Sequence, residues 1–323
     1  MIRCSFVRAF AFVVLAAVAG GAGAQTWPAK PVRLVVPFPP GSAPDIIARL
    51  MSEKLGAIWS QPIVVDNRPG AGGIVAMAGF VRSPADGYTL MLAPASTVTL
   101  TPHLFKDPQF NVDRDLVSIA SVGLSPMMIA AHPGAGVNSI GDLVQRAKAE
   151  PGKVNVSSPS VNTVPHLTTE MLNRAAGIQL YPVPYNGSVG SATAAVTGDA
   201  VVTIDGLPPL VPHVKAGKLR PIAVTSLKRL PGYESVPTAA ETLPGFESIG
   251  WFALFGPAGL PGAVVERINA DVNKVIQMPD IVARFADLGV YPNPGSPKDA
   301  ADFVTAQRAL WKKVVQDVGL QPQ

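Results

Sequence analysis

Residues 32–49 have the sequence VRLVVPFPPGSAPDIIAR, which passes from an apolar run through a turn into an amphipathic segment. The β-branched run from Val32 to Phe38 is typical of a buried strand. Pro44 and Asp45 suit the first turn of a helix, and the apolar residues after them recur at helical spacing. This order of strand, turn and helix predicts an α/β architecture with a largely parallel sheet.

The same order of elements recurs along the chain. Short apolar runs predict further strands at residues 62–66, 88–93, 119–132, 154–157, 180–185, 200–204, 219–225 and 251–255. Amphipathic stretches predict helices that end near residues 82 and 216, and helices at 139–149, 163–176, 189–197, 264–277, 281–287 and 298–318. Residues 226–250 are rich in Pro, Gly and Glu, which predicts an ordered connection that crosses between domains.

Composition narrows the class of protein. The chain has 323 residues, enough for two domains of ordinary size, and 48% of them are hydrophobic, enough for a sizeable core. Charged residues make up 15% and the net charge is +4, with the basic residues scattered, so a basic nucleic-acid-binding stripe is not expected. The single cysteine, Cys4, excludes a disulfide framework and a cysteine-ligated metal site.

The first 24 residues have the features of a secretory signal peptide. Arg3 and Arg8 precede an apolar run over residues 9–19, and small residues follow at 20–24. The apolar run is too short to span a bilayer about 30 Å thick as a helix. We therefore expect cleavage near Ala24 and export of the mature chain, which in a bacterium means the periplasm.

Three predicted strand-to-helix junctions share one chemistry. Residues 39–45, 157–163 and 185–191 are rich in small and hydroxyl residues at the point where a helix begins. Free backbone N–H groups and the positive end of the helix dipole make such a junction a site for an anion without Lys or Arg. The alternative is that these residues are ordinary helix N-caps, because Ser, Thr, Asn and Asp favour that position.

Templates for catalysis are mostly missing from the sequence. There is no G-x-S-x-G, P-loop, H-E-x-x-H or complete G-x-G-x-x-G motif, and the histidines lack metal-ligand spacing: His103, His132, His166 and His213. A hydrolase triad of Ser158, His166 and Asp205 has no support from spacing. Asp205 follows the strand predicted at 200–204, either as a turn former or as a pocket residue. These observations favour a binding protein without metal or cofactor over an enzyme.

Several long motifs, in a fixed order, resemble the substrate-binding receptors of tripartite tricarboxylate transporters, the Bug/TctC family. After the motif at residues 32–49 they are VVDNRPGAGG (64–73), PADGYTLML (84–92), PHLTTEMLNRAAGIQLYPVPYNGS (165–188), GKLRPIAVTSLKRLPGYESVPTAAE (217–241) and GWFALFGPAGLP (250–261). The resemblance covers almost the whole mature chain.

The resemblance implies a two-domain, Venus flytrap-like periplasmic binding protein, each domain a twisted, mostly parallel sheet flanked by helices. Domain I would comprise residues 25–124 and 226–323, and domain II residues 125–225, after a signal peptide at 1–24. The implied ligand is a small organic acid held in the interdomain cleft and delivered to the permease subunits of a tripartite transporter. A periplasmic sensor subunit for a signalling receptor is the alternative, and a hydrolase is a weaker one. We expect a monomer.

The family's ligand-binding positions map onto residues of this chain one by one. In the first domain they are Pro40, Gly41, Ser42, Ala43 and Asp45. In the second domain they are Ser158, Asn162, Thr163, His166, Tyr185, Asn186, Gly187, Ser188 and Asp205. The chain departs from the family pattern at Ser42, where the family commonly has Gly, and at Pro159 and Val161. These departures predict a stiffer and less polar pocket, suited to an aromatic acid.

Overall fold

The computed structural model describes residues 27–322. The predicted signal peptide and its cleavage near Ala24 lie outside this range. Within it, no helix has both the length and the apolar character that crossing a membrane requires.

The first lobe is built on three parallel strands. They are β1 (Val32–Val36), β2 (Ile63–Asn67) and β3 (Thr89–Pro94), with β1 in the middle. Helix α1 (Ala43–Trp59) connects β1 to β2, and α2 (Ile74–Phe80) connects β2 to β3. The strand–turn–helix unit predicted from residues 32–49 is therefore confirmed.

The second lobe repeats this arrangement. Its parallel strands are β5 (Val154–Ser158), β6 (Leu180–Pro184) and β7 (Val202–Gly206), with β5 in the middle. The connecting helices are α6 (Val164–Ala176) and α7 (Ser188–Thr197). Because the strands of each set are parallel, their carboxyl ends lie at one edge of the sheet.

Two long antiparallel strands join the lobes. In β4 (Leu116–Ala131), the residues as far as Pro126 pair with β9 (Ile249–Pro257), and those from Met127 pair with β7 and β8 (Arg220–Val224). Strand β9 also pairs with β3, so the strands form one continuous sheet. The α/β class is confirmed, and these joining strands make the sheet mixed, with its parallel portions at the two ends.

The remaining elements flank the sheet. They are α3 (Thr101–Leu104), α4 (Val112–Asp115), α5 (Ile140–Ala149), α8 (Leu207–Lys215), α9 (Gly262–Ile276), β10 (Tyr291–Pro292), α10 (Pro279–Asp287) and α11 (Pro297–Val318), with 3₁₀ turns at Ala71–Gly73, Pro133–Ala135 and Ala239–Glu241 and a π-helix at Ser96–Leu100. One face of the first lobe's sheet packs on Ile47, Val272 and Phe285, all fully buried.

Some predicted boundaries were wrong. The strand predicted at 200–204 is β7 at Val202–Gly206, because its register is set by the pairs Val156–Val202 and Ser157–Thr203. The Ala200 N–H instead bonds the Ala194 carbonyl in the turn after α7. Asp205 therefore lies within the strand and not after it. The π-helix and the short helices α3 and α4 were not predicted.

Candidate functional site

A small cavity of about 50 Å³ lies between the lobes, where the parallel strands of each lobe end. The turns after β1, β3, β5 and β7 enclose it, together with β4 and β9. Residues from these elements line it, among them Phe38, Ala43, Pro44, Ser96, Ser125, Met127, Pro159, Thr163, Val164, Asp205, Gly206, Trp251 and Phe252.

The lobes are in contact across this cleft. The Val164 N–H, at the start of α6 in the second lobe, donates to Ser96 Oγ of the first lobe at 3.0 Å. A Cβ atom added at Gly187 would lie 3.1 Å from Cγ of Pro39, and one added at Gly41 would lie 3.0 Å from Cγ2 of Val189. The two lobes are therefore in direct contact beside the cavity.

The loop after β1 is held by its own hydrogen bonds. Ser42 Oγ donates to the Pro39 carbonyl at 2.6 Å and does not cap α1. The Gly41 N–H donates to Asp45 Oδ2 at 2.9 Å, with Gly41 at a positive φ of 79° that favours glycine. The first turn of α1 thus reaches the cavity through Ala43 without a side-chain cap.

Asp45 holds this loop in place through hydrogen bonds to its backbone and to neighbouring side chains. It is 2% exposed and accepts hydrogen bonds from Arg49 and from Asn67 Nδ2 at 3.0 Å. Burial opposes ionisation, but the hydrogen bonds from Arg49, Gly41 and Asn67 outweigh it and hold the pKa of Asp45 below its usual range. Asp45 is not among the described residues that line the cavity. Its position indicates a positioning role, with Asn67 as a partner that sequence reasoning did not single out.

The loop after β5 is also bonded internally. Thr163 Oγ1 donates to the Ser160 carbonyl at 3.0 Å and does not cap α6. Asn162 has a positive φ of 57°, and its N–H donates to Nδ1 of His166 at 3.4 Å. Burial lowers the pKa of His166, so this ring is neutral at pH 7. Ser158 is fully buried, and its carbonyl accepts from the Tyr185 N–H at 2.8 Å.

The turn after β6 lies at the mouth of the cleft. Asn186 and Gly187 line a second cavity of about 100 Å³ together with Pro159 and the glycine-rich turn at residues 70–73 of the first lobe. Gly187 has a φ of 99°, and its N–H donates to the Pro159 carbonyl at 2.8 Å. This turn therefore closes the outer side of the site.

Asp205 is the one acidic side chain among the described residues lining the cavity. It is 4% exposed, and Oδ1 accepts from the Gly206 N–H at 2.8 Å, whereas Oδ2 has no hydrogen-bond partner among the described residues. Burial raises the pKa of Asp205 to about 7, against smaller lowering effects of Ser188 and Gly206. Ser125 Oγ is likewise buried in the cavity wall without a partner in the described chain.

The predicted site residues fall into three groups. Ala43, Thr163 and Asp205 line the cavity, and Asn186 and Gly187 line its mouth. The others lie in the surrounding loops, and their contact with a ligand stays a prediction: Pro40, Gly41, Ser42, Asp45, Ser158, Asn162, His166, Tyr185 and Ser188. Val161, expected to add apolar surface to the pocket, is 38% exposed and lies outside the cavity wall, because the turn points it to solvent.

Among the cavity residues that the sequence analysis did not predict, Ser96, Ser125 and Trp251 are instructive. Ser96 follows β3 at a strand's carboxyl end, where ligands of α/β sheets collect, so this rule could have found it. Ser125 and Trp251 lie inside the long strands β4 and β9, and no local pattern marks them. Pairing of β4 with β9 places Ser125 and Trp251 on adjacent strands in the cavity wall.

Walls of this composition suit an anion with an apolar body. Among the described lining residues none is Lys or Arg, and most are apolar or aromatic. The N-cap residues at the three predicted junctions, Ser42, Thr163 and Gly187, form no side-chain cap in the described chain. Side-chain capping therefore does not account for these junctions. At the start of α6 the Val164 N–H is already bonded to Ser96 Oγ, and Pro44 of α1 and Pro165 of α6 have no N–H, so the attraction for an anion rests on the helix dipoles and on the remaining N–H groups.

The geometry supports neither a hydrolase triad nor a metal site in the described part of the chain. In residues 27–322 no hydrogen bond joins Ser158, His166 and Asp205, whose side chains bond to other partners. The described residues also contain no group of three or more His, Cys, Asp or Glu that could hold a metal ion.

Comparison with known proteins identifies relatives over the whole chain. The pattern of the tripartite tricarboxylate transporter family receptor matches residues 47–320. Protein BugT of Bordetella pertussis is 32% identical over 310 residues, which cover 95% of this chain and 95% of BugT.

Solved structures with the same fold include two at moderate identity. Rpa4515 of R. palustris, solved with adipate, is 31% identical with a TM-score of 0.90, covering 92% of this chain and 100% of its own. The periplasmic binding protein BugD is 28% identical with a TM-score of 0.86, covering 92% of this chain and 100% of BugD. The two-lobed architecture described above is therefore that of periplasmic binding proteins.

Proposed function

Because the chain belongs to the tripartite tricarboxylate transporter receptor family, a family of solute-binding receptors and not of enzymes, we propose that it captures a small organic acid between its lobes. The observation that carries this proposal is the interlobe cavity at the starts of α1 and α6, one from each lobe. A carboxylate there would lie at the positive ends of both helix dipoles and so bridge the lobes.

The ligand proposed here has an apolar or aromatic body. Phe38, Met127, Trp251 and Phe252 supply the cavity with apolar surface, and Pro159 stiffens the loop after β5. The adipate in the Rpa4515 structure likewise combines carboxylates with a hydrocarbon chain. We expect acids with such a body to bind more tightly than short, polar dicarboxylates.

Binding would act by closing the cleft. We propose that the lobes are the predicted domains, residues 25–124 with 226–323 and residues 125–225, and the change of partners along β4 near Pro126 supports this division. A ligand that contacts both lobes binds the closed form better than the open one, and so shifts the population towards it. The closed form is then the one that a partner recognises.

The partner proposed is the membrane permease of a tripartite transporter, and the compartment is the periplasm. The family match and the signal-peptide pattern of residues 1–24 support both. The receptor would work as a monomer. A sensor subunit would bind the same ligand but would co-purify with a signalling receptor in place of permease subunits, so affinity purification from membranes distinguishes the two roles.

The first test is a thermal-shift screen of the chain from Gln25 onward, unfolded and refolded to remove any carried ligand. The panel contains succinate, malate, citrate, adipate, benzoate and phthalate, with lysine and glucose as a cationic and a neutral control. At 100-fold excess over Kd a ligand of the native state stabilises by about 2.7 kcal/mol, a shift of several degrees in Tm. We expect shifts with carboxylates of apolar body and none with the controls.

Two results would contradict the proposal at different levels. Shifts with lysine or glucose and none with any acid would overturn the organic-acid function. Equal shifts with succinate and with the aromatic acids would leave the receptor role intact but refute the apolar pocket.

A further inference from the structure

The carboxyl group of Asp205 is placed to meet a ligand directly. It lies at the end of β7 in the cavity wall, 4% exposed, and its Oδ1 already accepts from the Gly206 N–H at 2.8 Å. Oδ2 has no partner among the described residues. The Ser188 hydroxyl is near enough to lower the pKa of Asp205 somewhat, but it makes no hydrogen bond of ordinary geometry to Oδ2. Buried polar atoms without such a bond are rare in native proteins, so this oxygen is available to a ligand.

No neighbouring cationic side chain among the described residues stabilises a negative charge on Asp205. Among the elements that pack on β7, the strands β4 and β5 and the helix α7 contain no ionisable side chain. The ionisable residues of the other neighbouring helices are, on α6, His166, Glu170 and Arg174, and on α8, His213 and Lys215. None of them shifts the pKa of Asp205, which burial, Ser188 and Gly206 determine. The carboxyl group of Asp45 across the cleft is bonded to Arg49.

The charge state of Asp205 decides what it can bind. An ionised carboxylate only accepts hydrogen bonds, and it would repel a carboxylate ligand at close range in a cavity with mostly apolar walls. A neutral carboxylic acid carries an O–H donor and removes this repulsion. Burial raises the pKa of Asp205 to about 7, so its protonated form is well populated near neutral pH.

We propose, resting on the function proposed above, that Asp205 recognises the ligand as a neutral acid: its O–H donates to a ligand carboxylate, and binding takes up a proton from solvent. Asp205 is thereby the specificity-determining residue of the cavity. It accepts a carboxylate and, in this protonated state, offers no counter-charge to an ammonium group. The receptor consequently binds organic acids in preference to amino acids that would place an ammonium at this position.

The test is calorimetric titration with adipate, or with the acid of the panel that gives the largest thermal shift, all of whose carboxyl groups are ionised over the pH range used. Above pH 7 the wild-type Kd should rise by up to about tenfold per pH unit, since binding then requires a proton. Titrations in two buffers of different ionisation enthalpy should show uptake of about half a proton at pH 7 and nearly one at pH 8.

The matched variant is Asp205→Asn, which keeps the shape and a hydrogen-bond donor but cannot titrate. It should bind adipate with a Kd within about threefold of the wild type at pH 6 and should lose the pH dependence and the proton uptake. Asp199→Asn removes an exposed aspartate of the same lobe and should behave as the wild type. If Asp205→Asn does not fold, the buffer dependence of the wild type decides alone.

Distinct outcomes identify which idea fails. Binding of acids with no pH dependence and no proton uptake would overturn the role of Asp205 and leave the receptor function standing. Tighter binding of amino acids above pH 7, lost in Asp205→Asn, would mean that Asp205 is ionised and holds an ammonium group. Absence of acid binding at every pH would overturn the function itself.

Discussion

Two buried aspartates, one in each lobe, differ in their partners and therefore in their roles. Asp45 is 2% exposed and Asp205 is 4% exposed, so burial opposes the charge of both. Arg49 and Asn67 bond to Asp45, and its pKa is lowered, whereas Asp205 has no cationic partner and its pKa rises to about 7. Both side chains are buried, so the difference comes from their hydrogen-bond partners. Asp45 is bonded to Arg49 and supports the loop after β1, whereas Asp205 has no such partner in the described chain and is available to a ligand.

Asp45→Ala should destabilise the protein and disorder the loop after β1. It removes the acceptor of the Gly41 N–H and of Asn67 Nδ2 and leaves Arg49 without its carboxylate partner. We expect a loss of about 2–4 kcal/mol in the free energy of unfolding, measured by urea denaturation at pH 7. Asp302→Ala, which breaks an exposed pair with Lys298, is the control and should change stability by less than about 0.5 kcal/mol.

The pH dependence of this loss follows from the direction of the shift. The folded pKa of Asp45 lies below its unfolded value of 3.8, so its stabilising effect is complete above that value and disappears as pH falls through the folded pKa. The stability gap between wild type and Asp45→Ala should therefore narrow below pH 4. A constant gap from pH 7 to pH 3 would contradict the ionic role of Asp45.

At the scale of secondary structure, the site depends on close approach of helix starts from both lobes. Gly206 begins α8 at an ordinary φ of −56°, so other residues fit its backbone. A Cβ atom there would lie 3.3 Å from Ser125 Oγ and 3.4 Å from Cβ of Ala43 across the cleft. Glycine at this position therefore leaves room for closure of the cleft.

Gly206→Val should weaken ligand binding without unfolding the protein. The added side chain meets Ala43 in the closed form, whereas opening of the cleft relieves the contact. We expect Kd for the best acid of the panel to rise at least about tenfold by calorimetry, with Tm of the ligand-free protein nearly unchanged. Gly262→Val, at a position with open space around it, is the control. Unchanged affinity of Gly206→Val would show that binding does not require this approach.

Sequence reasoning was most successful where short-range chemistry determines an element. Pro44 and Asp45 mark the start of α1 because proline fits the first helical turn. The start of β7 was missed by two residues, since pairing with β5 overrides the apolar pattern. Ser96 and Ser125 were missed because their place in the cavity comes from the joining of β3, β4 and β9. The turns at the strand ends around the cavity could thus be predicted from local sequence, whereas the residues that the long strands contribute to its wall could not.

At the scale of the whole molecule, the chain crosses between the lobes twice, along β4 and again between β8 and β9. Residues of both crossings meet in one polar cluster. Thr225 Oγ1, after β8, accepts from the Met127 N–H of β4 at 2.8 Å and contacts the Ser248 carbonyl before β9 at 2.5 Å. Thr168 of α6 bonds Ser248 Oγ at 2.7 Å. Met127 lines the cavity as well, so we expect a small rotation about this cluster to open or close the cleft.

The measurement that tests the central claim most directly is a crystal structure of the refolded chain with the acid that gives the largest thermal shift. The account predicts a ligand carboxylate between the starts of α1 and α6, within hydrogen-bond distance of Asp205 and Ser125. A ligand bound elsewhere, for instance in the groove behind β9 lined by Met171 and Trp311, with the interlobe cavity empty, would contradict it.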